Sequence, residues 1–266
     1  MTALKQWLKA AFRHRSLIKS FAEQELRAQV AGSAGGPLWL IFRPALTILL
    51  YVFVFSVILQ LRVDALNVGT DNFVLYLLSG LLPWMAFSDA VSRAPNLLIE
   101  KSSIITKVAF PIETIPISSV VVSFALNGIG LLLFIVYQIF FGHVITALIA
   151  LPLIIGSFYL FTCGIVAILS AVGVFLRDTA QFVGVLVSFI FYLTPILYPM
   201  SLVPDEYLAL YRLNPMLTFV ESFQIILLTG EIPWQALAIS CMIGSISYLI
   251  GGYFFMKLRN AYNDVL

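Results

Sequence analysis

Side chains able to do chemistry are scarce in this chain. Its 266 residues include 2 histidines and 2 cysteines. By the topology that the charges define, His14 and His143 fall on opposite sides of a membrane, so they cannot share a metal or a nucleophile. Cys163 and Cys241 lie inside apolar runs and lack metal-ligand spacing. No H-E-x-x-H, G-x-S-x-G or Cys/His cluster occurs. The acids Asp64, Asp71, Asp205 and Glu206 are scattered over outer loops, which leaves a membrane-embedded enzyme without clustered carboxylates. Acids are also missing from the apolar runs, where an ion-driven transporter places its relay or coordinating groups. Asp89 is the exception, and it reads as a loop residue near the cytoplasmic face. A phosphate loop, G-x-x-x-x-G-K-[ST], is absent, as is any Gly-Lys pair. A membrane pore built from this chain therefore takes its energy from a separate motor subunit.

The elements that position these residues are membrane helices. The chain is 61% hydrophobic and 11% charged, with a mean hydropathy of +1.01. Soluble domains carry roughly 25% charged residues, so much of this surface faces lipid. A crossing helix needs about 20 mostly apolar residues. Charge-free runs separated by basic or turn-forming segments predict six spans, near 38–61, 73–92, 114–140, 145–175, 179–198 and 233–256. Of the 15 lysines and arginines, all but Arg62 and Arg212 fall on one side. The positive-inside rule makes that side cytoplasmic and puts both ends there. The expected fold is an all-α integral membrane protein, a single domain over 1–266.

Three segments outside the spans stand out. Residues 1–30 place Leu4, Trp7, Leu8, Ala11, Ile18, Ala22 and Leu26 at helical spacing, with Lys5, Lys9, Arg13 and Arg27 on another face. That pattern suits an amphipathic helix along the cytoplasmic surface, and equally a positive-inside anchor. The cytoplasmic loop 93–113 mixes apolar residues with Glu100, Lys101 and Lys107; a short helix there could dock on a partner or rest on headgroups. Residues 199–232 are rich in proline and hold the stretch Leu217 to Leu228, interrupted by Glu221. A pair of short helices re-entering the outer leaflet fits that stretch.

Four places along the chain resemble one family. They are ELRAQVAGSAGGPLWLIFRPAL at the first span, GLLPWMAFSDAV followed by IITKVAFPIETIPIS, FLRDTAQFVG leading to YLTPILYP, and LNPMLTFVESFQIILLTGEIPW before the last span. In order and spacing they resemble the permease subunit of ABC-type polysaccharide exporters, which move lipid-linked O-antigen, capsule or teichoic-acid chains. The sequence departs from that pattern at Arg27-Ala28-Gln29-Val30, where the family carries a second basic residue and an aromatic.

The resemblance implies a homodimeric pore in the bacterial cytoplasmic (inner) membrane, with two ATP-binding-cassette ATPase subunits beneath it. ATP and Mg would sit on those partners; this chain would bind no cofactor and no nucleic acid. The cargo would be an undecaprenyl-pyrophosphate-linked glycan. Residues Glu100, Lys101, Ser102 and Lys107 would form the coupling element, beside the N-terminal helix. Sugars stack on aromatic rings, so Tyr51 and Phe55 on the first span, and Phe182, Phe189 and Tyr192 on the fifth, are candidate channel residues. Packing between helices or against lipid competes with that role for each ring. Arg43 is the candidate pyrophosphate ligand at the gate, unless it snorkels to the headgroups. Trp39 and Trp84 read as interface anchors. An exporter of the same fold for a drug, lipid or other small molecule would differ in pore width and lining.

Overall fold

The computed structural model describes residues 2–30, 35, 38–61, 63, 68–105, 110–141 and 147–265. Lys107, Asp64, His143 and the side chain of Arg43 lie outside the described residues. Among the described residues every regular element is a helix. Four helical stretches are long and apolar enough to cross a membrane: Phe73–Glu100, Thr114–Phe141, Ala147–Phe175 and Trp234–Lys257. The protein is thus a multi-pass membrane protein.

The N-terminal segment forms two helices, α1 (Thr2–Arg13) and α2 (Arg15–Val30), broken by a turn at His14. Where one continuous surface helix is expected, the two halves have different partners. Helix α1 packs on the helix Trp234–Lys257 and α2 on the helix Thr114–Phe141. Trp7 is fully buried between the rings of Tyr248 (5.3 Å) and Phe255 (5.8 Å). It occupies a notch made by Gly252, where a Cβ would lie 2.1 Å from the indole. Ile18 and Ala22 are buried, while Lys5, Lys9, Arg13 and Arg27 are exposed. The amphipathic pattern is present, and protein covers Trp7, Ile18 and Ala22 on its apolar face while Leu8 stays exposed.

Helix α3 (Leu38–Val52) is continued by a π-helical turn at Phe53–Ile58. Helix α4 (Phe73–Arg93) starts at Asn72, whose side chain accepts the Val74 N–H at 2.9 Å. It leads through a 3₁₀ turn (Ala94–Asn96) to the short helices Leu97–Glu100 and Ser102–Ile105. Asp89 therefore belongs to a helix and not to a loop, because the helical backbone continues past Arg93. Helices α5 (Thr114–Phe141) and α6 (Leu151–Phe175) follow, then α7 (Thr179–Tyr192).

Helix α7 has 14 residues, about 21 Å at 1.5 Å per residue, against a hydrocarbon core of roughly 30 Å. The helix is shorter than the expected 179–198: it ends at Tyr192 and the chain turns over 193–199. Pro195 lacks an N–H and its ring blocks a continued helix. The segment 199–232 then holds two 3₁₀ turns, the short helix Leu208–Arg212, α8 (Pro215–Gln224) and a π-helical turn ended by Gly230 at φ 75°. Helix α9 (Trp234–Lys257) is the last span, followed by α10 (Arg259–Val265).

Helices α6 and α9 form the closest pair. A Cβ on Gly164 would lie 2.2 Å from the Ser247 carbonyl, and one on Gly251 2.2 Å from the Gly164 carbonyl. In lipid, where apolar side chains gain little by leaving their solvent, such backbone approach is what holds helices together. Rings of Phe87, Phe158, Phe161, Phe219 and Phe223 fill the space between α4, α6 and α8.

Candidate functional site

An open groove of about 1060 Å³ runs between α3, α4, α5 and α7. Tyr51, Trp84, Phe191 and Tyr192 give its walls an aromatic character; Ser88, Asp89, Ser92, Asn127 and Ser188 supply polar groups. Tyr51 is half-buried, with its ring 6.0 Å from Phe191 and stacked at 6.1 Å on Phe55. Trp84 touches Phe87 at 5.6 Å and Phe191 at 5.4 Å and is buried. This corrects its reading as an interface anchor: the α4 face that carries it points into protein. Trp39 is half-exposed at the groove, edge-on to Phe42 at 5.5 Å.

The five aromatic candidates divide by position. Tyr51 and Tyr192 line the groove, and Phe55 stands behind Tyr51 against Phe73 at 5.9 Å. Phe182 and Phe189 are not among the groove lining. Together with Val185 and Tyr192 they form an exposed ridge along α7, each more than half accessible. Residues 182, 185, 189 and 192 share one side of a 3.6-residue helix. The neighbouring side, Val183, Val187 and Phe191, is buried. The sequence spacing found the ridge but passed over Phe191 and Trp84, which lie on the groove side of their helices.

At one end of the groove a cluster of charges crosses from the spans to the surface. Asp89, on the groove wall, accepts from Arg93 Nη2 at 3.1 Å. The same nitrogen donates to Ser123 Oγ on α5 at 2.6 Å. Arg93 Nη1 donates to Glu25 Oε1 on α2, and Ser119 Oγ lies 3.4 Å from that oxygen. Lys101 Nζ is 3.7 Å from Glu25 Oε2 and 4.9 Å above the Phe21 ring. Two acids and two bases thus pair in a partly desolvated site, where their attraction offsets part of the cost of taking each charge out of water.

This geometry changes the picture of the loop. Glu100 is exposed; Ser102 is half-buried and engaged. Lys101 turns inward to α2, its side chain 19% accessible. Glu25 carried no sequence signal beyond being an acid on a mostly basic helix. The i, i+4 spacing of Asp89 and Arg93 was a legible hint.

At the far end of α7, carbonyls freed by the turn that follows it find partners. Tyr76 Oη lies 2.8 Å from both the Pro195 and Tyr198 carbonyls and donates between them. Gln224 Nε2 donates to Pro195 at 3.0 Å, and Asn214 Nδ2 to Leu193 at 3.1 Å.

Long apolar helices, an open polar-aromatic groove and a paired charge cluster at its end suit a membrane transport component. Residues 16–228 match the model of the ABC-2 type transporter family, and the chain belongs to that family. It is 32% identical to an O-antigen export system permease protein RfbA of Myxococcus xanthus, over 84% of each chain. A Klebsiella pneumoniae protein of the same name is 27% identical over 94% of this chain and 95% of its own. The polysialic acid transport protein KpsM of Escherichia coli is 22% identical over 74% of this chain and 76% of its own.

Proposed function

We propose that the chain is the transmembrane subunit of an ATP-driven exporter of lipid-linked polysaccharide, an O-antigen in the first instance. The groove bearing Tyr51, Trp84, Phe191 and Tyr192 is the observation that carries this reading. Ring faces bind sugar C–H faces while Ser88, Ser92, Asn127 and Ser188 exchange hydrogen bonds with hydroxyls. Such a surface holds a glycan without fixing one position. The names of the relatives support the cargo class.

The groove is open along one side, and two copies facing each other would enclose a channel. Six spans with cytoplasmic ends would be reached by counting α3 and α7 with the four long helices, α7 being completed by its turn. The outer segment 199–232 would re-enter the outer leaflet. Arg43, on α3, would hold the pyrophosphate of an undecaprenyl-linked substrate. Two ATPase subunits, carrying ATP and Mg, would meet the loop 93–113 through the exposed Glu100 and through Ser102 and Lys107. Their work would shift the pore between inward- and outward-facing populations.

The test is complementation of a host strain lacking this gene. The wild-type chain restores surface glycan; a strain that displays normal glycan without it removes the proposal. The double variant Tyr51→Ala, Tyr192→Ala lowers display at least five-fold with membrane levels of the protein unchanged. Undiminished display with both rings gone would refute the aromatic path.

A further inference from the structure

The cluster around Glu25 joins elements far apart in the chain. Its carboxylate sits on the surface helix α2 and meets Arg93 at the end of α4 and Lys101 in the loop. Arg93 continues the connection to Asp89 on the groove wall and to Ser123 on α5. Around it, Phe21 on α2 meets Phe110 at 5.1 Å and Lys101 at 4.9 Å. An ion pair from Lys101 and the hydrogen bonds of Arg93 therefore meet at one carboxylate between the loop and the groove wall.

The geometry points to Glu25 as the positioning residue that transmits movement of the cytoplasmic loop to the groove. It rests on the reading of 93–113 as the part that meets the motor. Two oxygens of one carboxylate are divided between two cations on different elements. A shift of Lys101 with the loop therefore moves α2, and through Arg93 it moves the α4 face that carries Asp89. A neutral amide at this place keeps the shape but replaces two ionic attachments with weaker ones. The helices stay packed through their apolar faces, and the backbone still joins the loop to α4, but α2 no longer holds Lys101 and Arg93 in one fixed arrangement. Arg93 is suited to the junction because its planar fork reaches Glu25 with one nitrogen and Asp89 and Ser123 with the other; a lysine offers a single point of attachment.

The test uses the permease with its ATPase subunits in liposomes, and the same variants in the host strain. Glu25→Gln, Arg93→Gln and the double variant are compared for ATP hydrolysis and for surface glycan. Each single variant is expected to keep hydrolysis within two-fold of wild type while glycan display falls at least five-fold. The double variant should be no worse than the more affected single, as befits two members of one link. Hydrolysis and display that fall together, or both unchanged, would overturn the role of Glu25. Should the glutamine variants not assemble, Arg93→Lys retains the charge without the fork; it is expected to uncouple likewise, and wild-type export from it overturns the inference. A cysteine introduced by Glu100→Cys, with Cys163 and Cys241 replaced by alanine, separates the two readings. Cross-linking to the ATPase together with coupled Glu25 variants defeats the inference alone; absence of any cross-link defeats the loop assignment and the inference with it.

Discussion

At the scale of single residues, polar side chains are spent where the backbone leaves its helices. Tyr76 is the clearest case. Its ring is buried on α4 and its hydroxyl reaches two carbonyls of the turn after α7. Nothing in the local sequence of α4 announces that task; it exists because Pro195 stops α7 and frees carbonyls within reach. Tyr76→Phe keeps the ring and leaves those carbonyls short of a donor. Buried groups left unsatisfied cost about 1–3 kcal/mol each. The variant should melt lower in detergent than the wild type, and an unchanged melting temperature would mean that Gln224 or water serves the turn adequately. Glu25 shows the same limit in another form. Its type and helix were legible, but its partners lie 68 and 76 positions away, at Arg93 and Lys101, and only the fold brings them together.

At the scale of elements, apolar composition marked the helices while close packing settled how they pair. The α6–α9 contact depends on glycines whose missing Cβ lets two backbones meet. Gly251→Val would press two methyl groups against the Gly164 carbonyl, 2.2 Å from the Cβ position. Overpacking of this kind typically costs about 1–3 kcal/mol. We expect lower thermal stability and greater protease sensitivity for this variant. Gly156 sits on the same α6 but meets nothing within 4 Å, so Gly156→Ala should be neutral or stabilising by up to about 1 kcal/mol. Equal behaviour of the two variants in a melting assay would show that the seam is looser than its geometry. Helix α7 carries the opposite lesson. Its apolar run continues past Tyr192, and hydropathy alone extended the span to 198; the proline inside the run decided otherwise.

At the scale of the whole molecule, the exposed ridge Phe182, Val185, Phe189 and Tyr192 flanks the open groove. In a facing pair of copies, that ridge would lie near its counterpart. With Cys163 and Cys241 replaced by alanine, Phe189→Cys is expected to form a cross-linked dimer in native membranes on mild oxidation. Ile250→Cys, exposed on α9, provides the comparison and should remain monomeric. Cross-linking of Ile250→Cys in place of Phe189→Cys would turn the proposed dimer around.

What the sequence by itself determined is what composition and linear spacing can encode: a helical membrane protein, the long helices α4, α5, α6 and α9, the separation of basic from apolar faces near the N-terminus, and family motifs. Each follows from a cost counted locally, since a charge or an unpaired peptide group in hydrocarbon is expensive wherever it occurs. Only the tertiary structure decided that α1 and α2 are separate and bury Trp7, Ile18 and Ala22 against protein, that Trp84 and Phe191 belong to the groove, and that Lys101 turns inward to Glu25. Those outcomes depend on which surfaces meet across long stretches of chain, and periodicity within one helix does not say what the facing helix presents.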